Sequence, residues 1–268
     1  MHVNLRKSLF ILPNLFTISG IFCGFYAIKL SAIGATANDF YKASLLILFA
    51  MFFDIIDGRV ARLTKTQSAF GMQLDSLADV ISFGVAPAVL VHNWALADVG
   101  PLALFASFSY VACGAIRLAR FNVINTGSDG APKKPDKYIL GLPIPGAAGI
   151  IVSLIAANHA VDGSLASAKG PVLIIVLALS FFMVSTIKFR SFKDVKLNAR
   201  TLSLVTFAVG SSVILAMRLH LAFAICWLLL SYVAIGLAEM IIGLTRRIAR
   251  QKQRNPDEQE PVTLQRRR

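Results

Sequence analysis

The stretch DIIDGRVARLTKTQSAFGMQLDSLAD, Asp54 to Asp79, decides how the chain is read. It sets Asp54, Asp57, Asp75 and Asp79 inside a sequence that is otherwise strongly apolar. Asp54 and Asp57 are spaced i, i+3, and Asp75 and Asp79 are spaced i, i+4. On helices, either spacing puts two carboxylates on one face. The polar patch 63–68 between the pairs predicts a turn that folds one helix back along the other. Asp57 lies about six residues before Leu63 and Asp75 about seven after Ser68, so at about 1.5 Å per residue each pair sits roughly 9–11 Å from the turn. The two pairs therefore meet at one depth. Carboxylates facing one another repel unless cations hold them, and an all-oxygen donor set suits Mg²⁺ or Mn²⁺.

The small residues fit the same geometry. Gly58 and Ala61 leave the backbone open on the helix of the first pair, and Gly71 does so just before the second. Arg62 follows Gly58 by one turn, where a phosphate on the metals would project, and a guanidinium suits bidentate contact with phosphate. The blander alternative is that the acids only pair with Arg59, Arg62 and Lys65. Carboxylates near lipid are costly and usually functional, which weighs against it.

This stretch resembles the CDP-alcohol phosphotransferase family, whose pattern D-x2-D-G-x2-A-R-x8-G-x3-D-x3-D falls on Asp54, Asp57, Gly58, Ala61, Arg62, Gly71, Asp75 and Asp79. The resemblance implies a membrane-embedded, metal-dependent enzyme that displaces CMP from a CDP-linked lipid or alcohol. It implies two divalent cations per site, held by the four aspartates. Gly58, Ala61 and Gly71 would admit the cytidine.

Composition agrees with a membrane protein. The chain has 268 residues, of which 56% are hydrophobic, and its mean hydropathy is +0.68. That is too apolar for an ordinary soluble domain. Against the roughly twenty residues a bilayer needs, apolar spans are expected at 12–30, 41–63, 70–95, 101–121, 143–160, 170–188, 202–217 and 221–244. The expected fold is an all-α polytopic membrane helix bundle of about eight transmembrane helices. One domain is expected over 1–245 and a basic, disordered cytoplasmic tail over 246–268. The net charge of +13 is topological rather than a nucleic-acid footprint. With both termini cytoplasmic, only Lys29, Lys42, Lys169 and Arg218 of the 27 Lys and Arg residues lie outside. That is the positive-inside asymmetry. It predicts a multi-pass cell (inner) membrane protein whose acidic stretch faces the cytoplasm, in contact with anionic membrane lipids. A homodimer is compatible with the sequence, which is silent on oligomeric state.

The first span reads as an uncleaved helix opened by Pro13-Asn14 and preceded by a short interfacial segment. Asn14 and Thr17 share a face there, either as simple capping or as polar contacts to the nucleotide. Cys23, Cys113 and Cys226 are scattered within spans and offer no disulfide framework. His92, His159 and His220 fall near outer ends of spans, away from the aspartates, so a histidine nucleophile is disfavoured.

A second region, Arg117 to Pro145, reads RLARFNVINTGSDGAPKKPDKYILGLPIP. Arg117 and Arg120 are spaced i, i+3 at a helix end, with Asn122 close behind. They serve either as topological anchors or as a site for the acceptor's carboxylate or the lipid phosphates. The loop 125–137 should be exposed. Here the resemblance narrows. The runs LPNLFTISG, DSLADVISFGVAPA, RLARFN, GLPIP and FRSFK, within 12–193, look like bacterial integral-membrane phosphatidylserine synthases. This implies CDP-diacylglycerol and L-serine as substrates, with phosphatidylserine and CMP as products. Asn14 and Thr17 would touch the CDP-lipid, Arg117, Arg120 and Asn122 the serine, and Asp79 would be the general base. Rival readings are the same chemistry with glycerol 3-phosphate or an inositol phosphate as acceptor, and, more remotely, a cation transporter using the aspartates as its ion path.

Overall fold

The computed structural model describes residues 5–32, 35–64, 66, 68–125, 138–190 and 199–236. The loop 126–137 and the tail 246–268 lie outside them. Among the described residues, helix falls in each of the eight expected stretches. The first helix, Leu5–Leu30, packs along the second, Ala37–Leu63. Thr36 starts the second with a reciprocal cap: its hydroxyl accepts from the Asp39 N–H, and Asp39 Oδ2 accepts from the Thr36 N–H at 3.0 Å. Such a box satisfies two amides that the helix start would leave bare.

The first helix does not open at Pro13. It begins at Leu5, so Pro13 sits in its interior. Proline has no N–H to give there and its ring crowds the preceding turn, a cost of about 3 kcal/mol that the helix nevertheless bears. The ring instead comes to line the cavity described below.

The third helix, Ala69–Val99, is continuous but irregular. Regular α-helix over Ala69–Asp79 widens into a π-turn over Val80–Val85, and a second π-turn follows at His92–Leu96. The widening strands carbonyls, and neighbours take them up. Tyr110, fully buried, donates to the Phe83 carbonyl at 3.2 Å. Ser82 in turn donates to the Gly20 carbonyl of the first helix at 3.0 Å. That contact requires Gly24: a β-carbon there would fall 2.8 Å from Ser82 Cα.

The fourth helix, Pro101–Asn125, packs on the sixth, Lys169–Val184; the fifth, Ile144–Ala160, packs on the second. Helices Ala199–Arg218 and Leu221–Gly236 complete the described chain. One departure from an all-α chain is a short antiparallel pair, Tyr138–Leu140 with Lys188–Arg190.

The interior is built largely of small residues such as Ala27, Ala43, Ala50, Ala86, Ala103 and Ala147, which let helices approach closely as membrane helices do. Large apolar side chains, among them Phe22, Phe52, Phe105, Phe108, Phe181 and Phe207, face outward. A surface so apolar is covered by something other than water. Among the described residues, Ala69–Val99 and Pro101–Ile124 are each long and apolar enough to cross a bilayer by length and composition. The second, fifth and sixth fall short of that measure for visible reasons. Asp54, Asp57, Arg59 and Arg62 load the second helix with charge, and the fifth and sixth are 17 and 16 residues long.

Candidate active site

The second helix brings Asp54 and Asp57, and the third brings Asp75 and Asp79, to one level between them. Asp54, Asp57 and Asp75 each offer an oxygen within 4.8 Å of the others. Asp79 stands one turn beyond Asp75, buried at 9% exposure, where it shares a small void with the other three, Ser82 and Phe83. Thr17 of the first helix donates to Asp57 Oδ2 at 2.7 Å, with the Pro13 carbonyl as a second acceptor at 3.1 Å. The sequence left Thr17 as a cap or a nucleotide contact; the structure gives it instead a bond to a cluster carboxylate. Three carboxylates this close, with no lysine or arginine of the described residues among them, form an oxygen-only set that fits a hard divalent cation.

A cavity of about 230 Å³ opens from this cluster. Pro13, Asn14 and Thr17 form one wall; Asp57, Gly58 and Ala61 a second; Gly71, Met72 and Asp75 a third. Gly58 faces open space, its nearest neighbour being Arg62 Nη2, 3.9 Å from where a β-carbon would sit. Arg62 itself is exposed and stands outside the cavity wall. Gly71 is held tighter: a β-carbon would lie 3.2 Å from Ser68 Oγ and 3.6 Å from Asn14 Oδ1. Ser68 caps the third helix by accepting from the Gly71 N–H at 3.0 Å.

Thr66 and Ser68 also line the cavity, and sequence reasoning assigned them only to the turn. The Thr66 hydroxyl pairs with that of Thr64 at 2.7 Å. The available signal was the cap itself, a serine three residues before the glycine of the motif.

The two arginines of the fourth helix part company. Arg120 donates to four backbone carbonyls, those of Val184 at 2.8 Å, Leu140 and Ser185 at 3.1 Å, and Met183 at 3.4 Å. Its fork, expected from sequence among the serine contacts, is spent on tying the short strand pair to the helix ends. Gly141, at φ +78°, makes room for it, since a β-carbon there would sit 2.8 Å from Arg120 Nη2. Arg117 is different. It is only 6% exposed, its guanidinium carbon lies 5.2 Å from the Phe121 ring centre, and its Nε has no hydrogen-bond partner. Asp79, Arg120 and Tyr232 lie within electrostatic range of its charge. Asn122 donates to Ser76 Oγ at 2.8 Å, joining the fourth helix to the helix of the second acidic pair.

The bundle of apolar helices thus encloses an oxygen donor set suited to a divalent cation, with a cavity opening from it. Residues 10–188 match the family model described as CDP-alcohol phosphatidyltransferase, and the chain belongs to that family. It is 39% identical over 197 residues to a CDP-diacylglycerol–serine O-phosphatidyltransferase of Helicobacter pylori, covering 74% of this chain and 79% of that protein. To the Bacillus subtilis protein of the same name it is 33% identical over 184 residues, 68% of this chain and 91% of the other. An archaetidylserine synthase of Methanothermobacter thermautotrophicus is 37% identical over 180 residues, 66% of this chain and 69% of that one.

Proposed function

We propose that the chain transfers a phosphatidyl group from CDP-diacylglycerol to L-serine, releasing phosphatidylserine and CMP. The observation that carries this is the trio Asp54, Asp57 and Asp75, with oxygens within 4.8 Å, opening onto a cavity bordered by Gly58, Ala61 and Gly71. Asp54, Asp57, Asp75 and Asp79 would hold Mg²⁺ or Mn²⁺, two per site in this reading, and the cations would supply charge neutralisation for the pyrophosphate.

The chain's own residues do the rest. Asn14, Thr17, Gly58, Ala61 and Gly71 border the space for the cytidine end of the donor, and Arg62 contacts a phosphate. Asp79, one turn beyond the trio, accepts the proton of the serine hydroxyl. The serine oxygen bonds to the diacylglycerol phosphate as the bond to CMP breaks, in a single displacement. Arg117 holds the serine carboxylate: it is buried beside Asp79 with an N–H unspent, whereas Arg120 is occupied by carbonyls. Asn122 supports that side through Ser76.

In this reading all eight helices span the cell (inner) membrane with both termini cytoplasmic. The outward phenylalanines meet membrane lipids or a second copy in a homodimer, and nucleic acid has no part. Cysteines introduced at Gly130 and Ser164 are expected to react with an impermeant thiol reagent from opposite sides, Gly130 from the cytoplasm. Labelling of both from one side breaks the span count between them. The decisive assay is CMP release from CDP-diacylglycerol by the purified enzyme with and without serine. Release that depends on serine is expected. Release that answers instead to glycerol 3-phosphate, or none with any acceptor, refutes the assignment.

A further inference from the structure

Thr17 is buried at 6% exposure on the first helix, and its hydroxyl has two acceptors in reach: Asp57 Oδ2 at 2.7 Å and the Pro13 carbonyl, one turn back, at 3.1 Å. A hydroxyl has one hydrogen to give. The carboxylate is the nearer acceptor, and a bond to a charged oxygen is the stronger of the two kinds. The hydrogen therefore goes to Asp57, and none is left to donate to a nucleotide in the adjoining cavity. The Pro13 carbonyl has a different effect. Threonine in a helix divides between two χ1 rotamers, and contact with the carbonyl four residues back selects one of them.

The helix that carries Thr17 is itself held on both acidic helices. Three residues on, a β-carbon at Gly20 would lie 3.8 Å from the Ala50 carbonyl oxygen and 4.0 Å from Phe53 Cβ, within the turn that leads to Asp54. Phe16 stacks on Phe53 with ring centres 6.4 Å apart. The Gly20 carbonyl also accepts the Ser82 hydroxyl at 3.0 Å, and Ser82 lies three residues beyond Asp79. The Thr17 hydroxyl is thus a fixed point beside the cluster. Asp57 has an oxygen within 4.8 Å of oxygens of Asp54 and Asp75, and repulsion among them would turn its carboxylate away. Bonding one oxygen pins the carboxylate plane, and with it the direction of the lone pairs left for a cation.

We propose that Thr17 is a positioning residue for the metal site: its hydroxyl orients the Asp57 carboxylate so that a divalent cation meets Asp54, Asp57 and Asp75 together. This role rests on the reading that these aspartates hold the cations. Thr17→Val replaces the hydroxyl with a methyl of nearly the same shape. In the full chain, purified in detergent and stripped of metal, Mn²⁺ binding is followed by the electron paramagnetic resonance signal of the free ion. Thr17→Val should bind Mn²⁺ about 10- to 100-fold more weakly than the native chain, the usual cost of losing a group that orients a metal ligand. Thr17→Ser keeps the hydroxyl and should recover most of that loss. Turnover of Thr17→Val should climb toward the native value as Mn²⁺ is raised, and KM for CDP-diacylglycerol at saturating Mn²⁺ should not move. Thr17→Ala removes the hydroxyl without setting a methyl against Asp57, and gives the same reading should Thr17→Val not fold. Ser19→Ala is the control. Ser19 makes the same kind of bond on the same helix, to the Leu15 carbonyl at 2.9 Å, and its removal should leave Mn²⁺ affinity unchanged.

Native Mn²⁺ affinity in Thr17→Val, with that of Asp75→Asn weakened, would overturn the role of Thr17 and leave the cluster standing. A raised KM for CDP-diacylglycerol in that case would make Thr17 a nucleotide contact. Native Mn²⁺ affinity in Asp75→Asn would remove the metal assignment, and the role of Thr17 with it. Weakened binding in Ser19→Ala would trace the effect to the helix rather than to the Thr17 hydroxyl, and would also overturn the proposal.

Discussion

Asp75→Asn should lower turnover by about two to three orders of magnitude, the scale seen when one preorganised charge-stabilising group is removed from an active site, while the protein still inserts and folds. Asparagine keeps the shape of the side chain and deletes its charge. In the free enzyme that deletion is not a loss. Carboxylate oxygens within 4.8 Å of one another repel by roughly 3 kcal/mol per pair at an effective dielectric constant near 20. Metal-free Asp75→Asn should therefore melt no lower than the metal-free native chain. The native chain should gain stability on adding Mg²⁺ or Mn²⁺, because a ligand that binds only the folded state shifts the equilibrium toward it. Asp75→Asn should gain little. Asp54→Asn should behave likewise, and EDTA should abolish native activity reversibly. Asp98→Asn is the control, since Asp98 only meets Lys169 in a surface ion pair at 3.1 Å, a contact worth little. Full turnover in a metal-free preparation, or an Asp75→Asn protein that melts and turns over like the native one, would remove the cluster from the chemistry.

The meeting of the two acidic pairs was legible because it needs only helical periodicity and a turn of known place. The positions of the helices were legible for a similar reason, as each apolar stretch has a start and a stop in the sequence. Three things were not. The π-turn at Val80–Val85 leaves no mark on composition, because its cause is tertiary: Gly24 admits Ser82, and Tyr110 takes the Phe83 carbonyl. The extra reach of the first helix before Pro13 runs against the cost of an interior proline, about 3 kcal/mol, so proline at the head of an apolar run reads as a helix start. The division of labour between Arg117 and Arg120 depends on Leu140 and on Met183 to Ser185, which lie 20 or more residues away in the chain. Spacing of i, i+3 places both arginines at one helix end. What each one touches is decided by segments that arrive later.

That division makes opposite predictions for one conservative change at the two positions. Arg117→Lys retains the charge and so the topology, but loses the planar fork. If the fork holds the serine carboxylate, the missing charge-assisted contact costs about 1.5–3 kcal/mol, or roughly 10- to 150-fold in serine usage. KM for serine should rise by that factor while KM for CDP-diacylglycerol barely moves, and thermal stability should change little. Arg120→Lys should do the reverse. An ammonium carries three N–H groups on one nitrogen and cannot serve the four carbonyls of Leu140, Met183, Val184 and Ser185, so acceptors are left bare at the ends of the strand pair. Each unsatisfied buried acceptor costs about 1–3 kcal/mol, and the protein should melt lower in detergent. Its folded fraction should keep a near-native KM for serine. Both constants are measured on the same preparations, with the folded fraction counted by size-exclusion chromatography. A rise in serine KM confined to Arg120→Lys would return the acceptor to Arg120. A rise in the donor constant for Arg117→Lys would assign that guanidinium to the lipid phosphate, leaving the serine carboxylate to another residue.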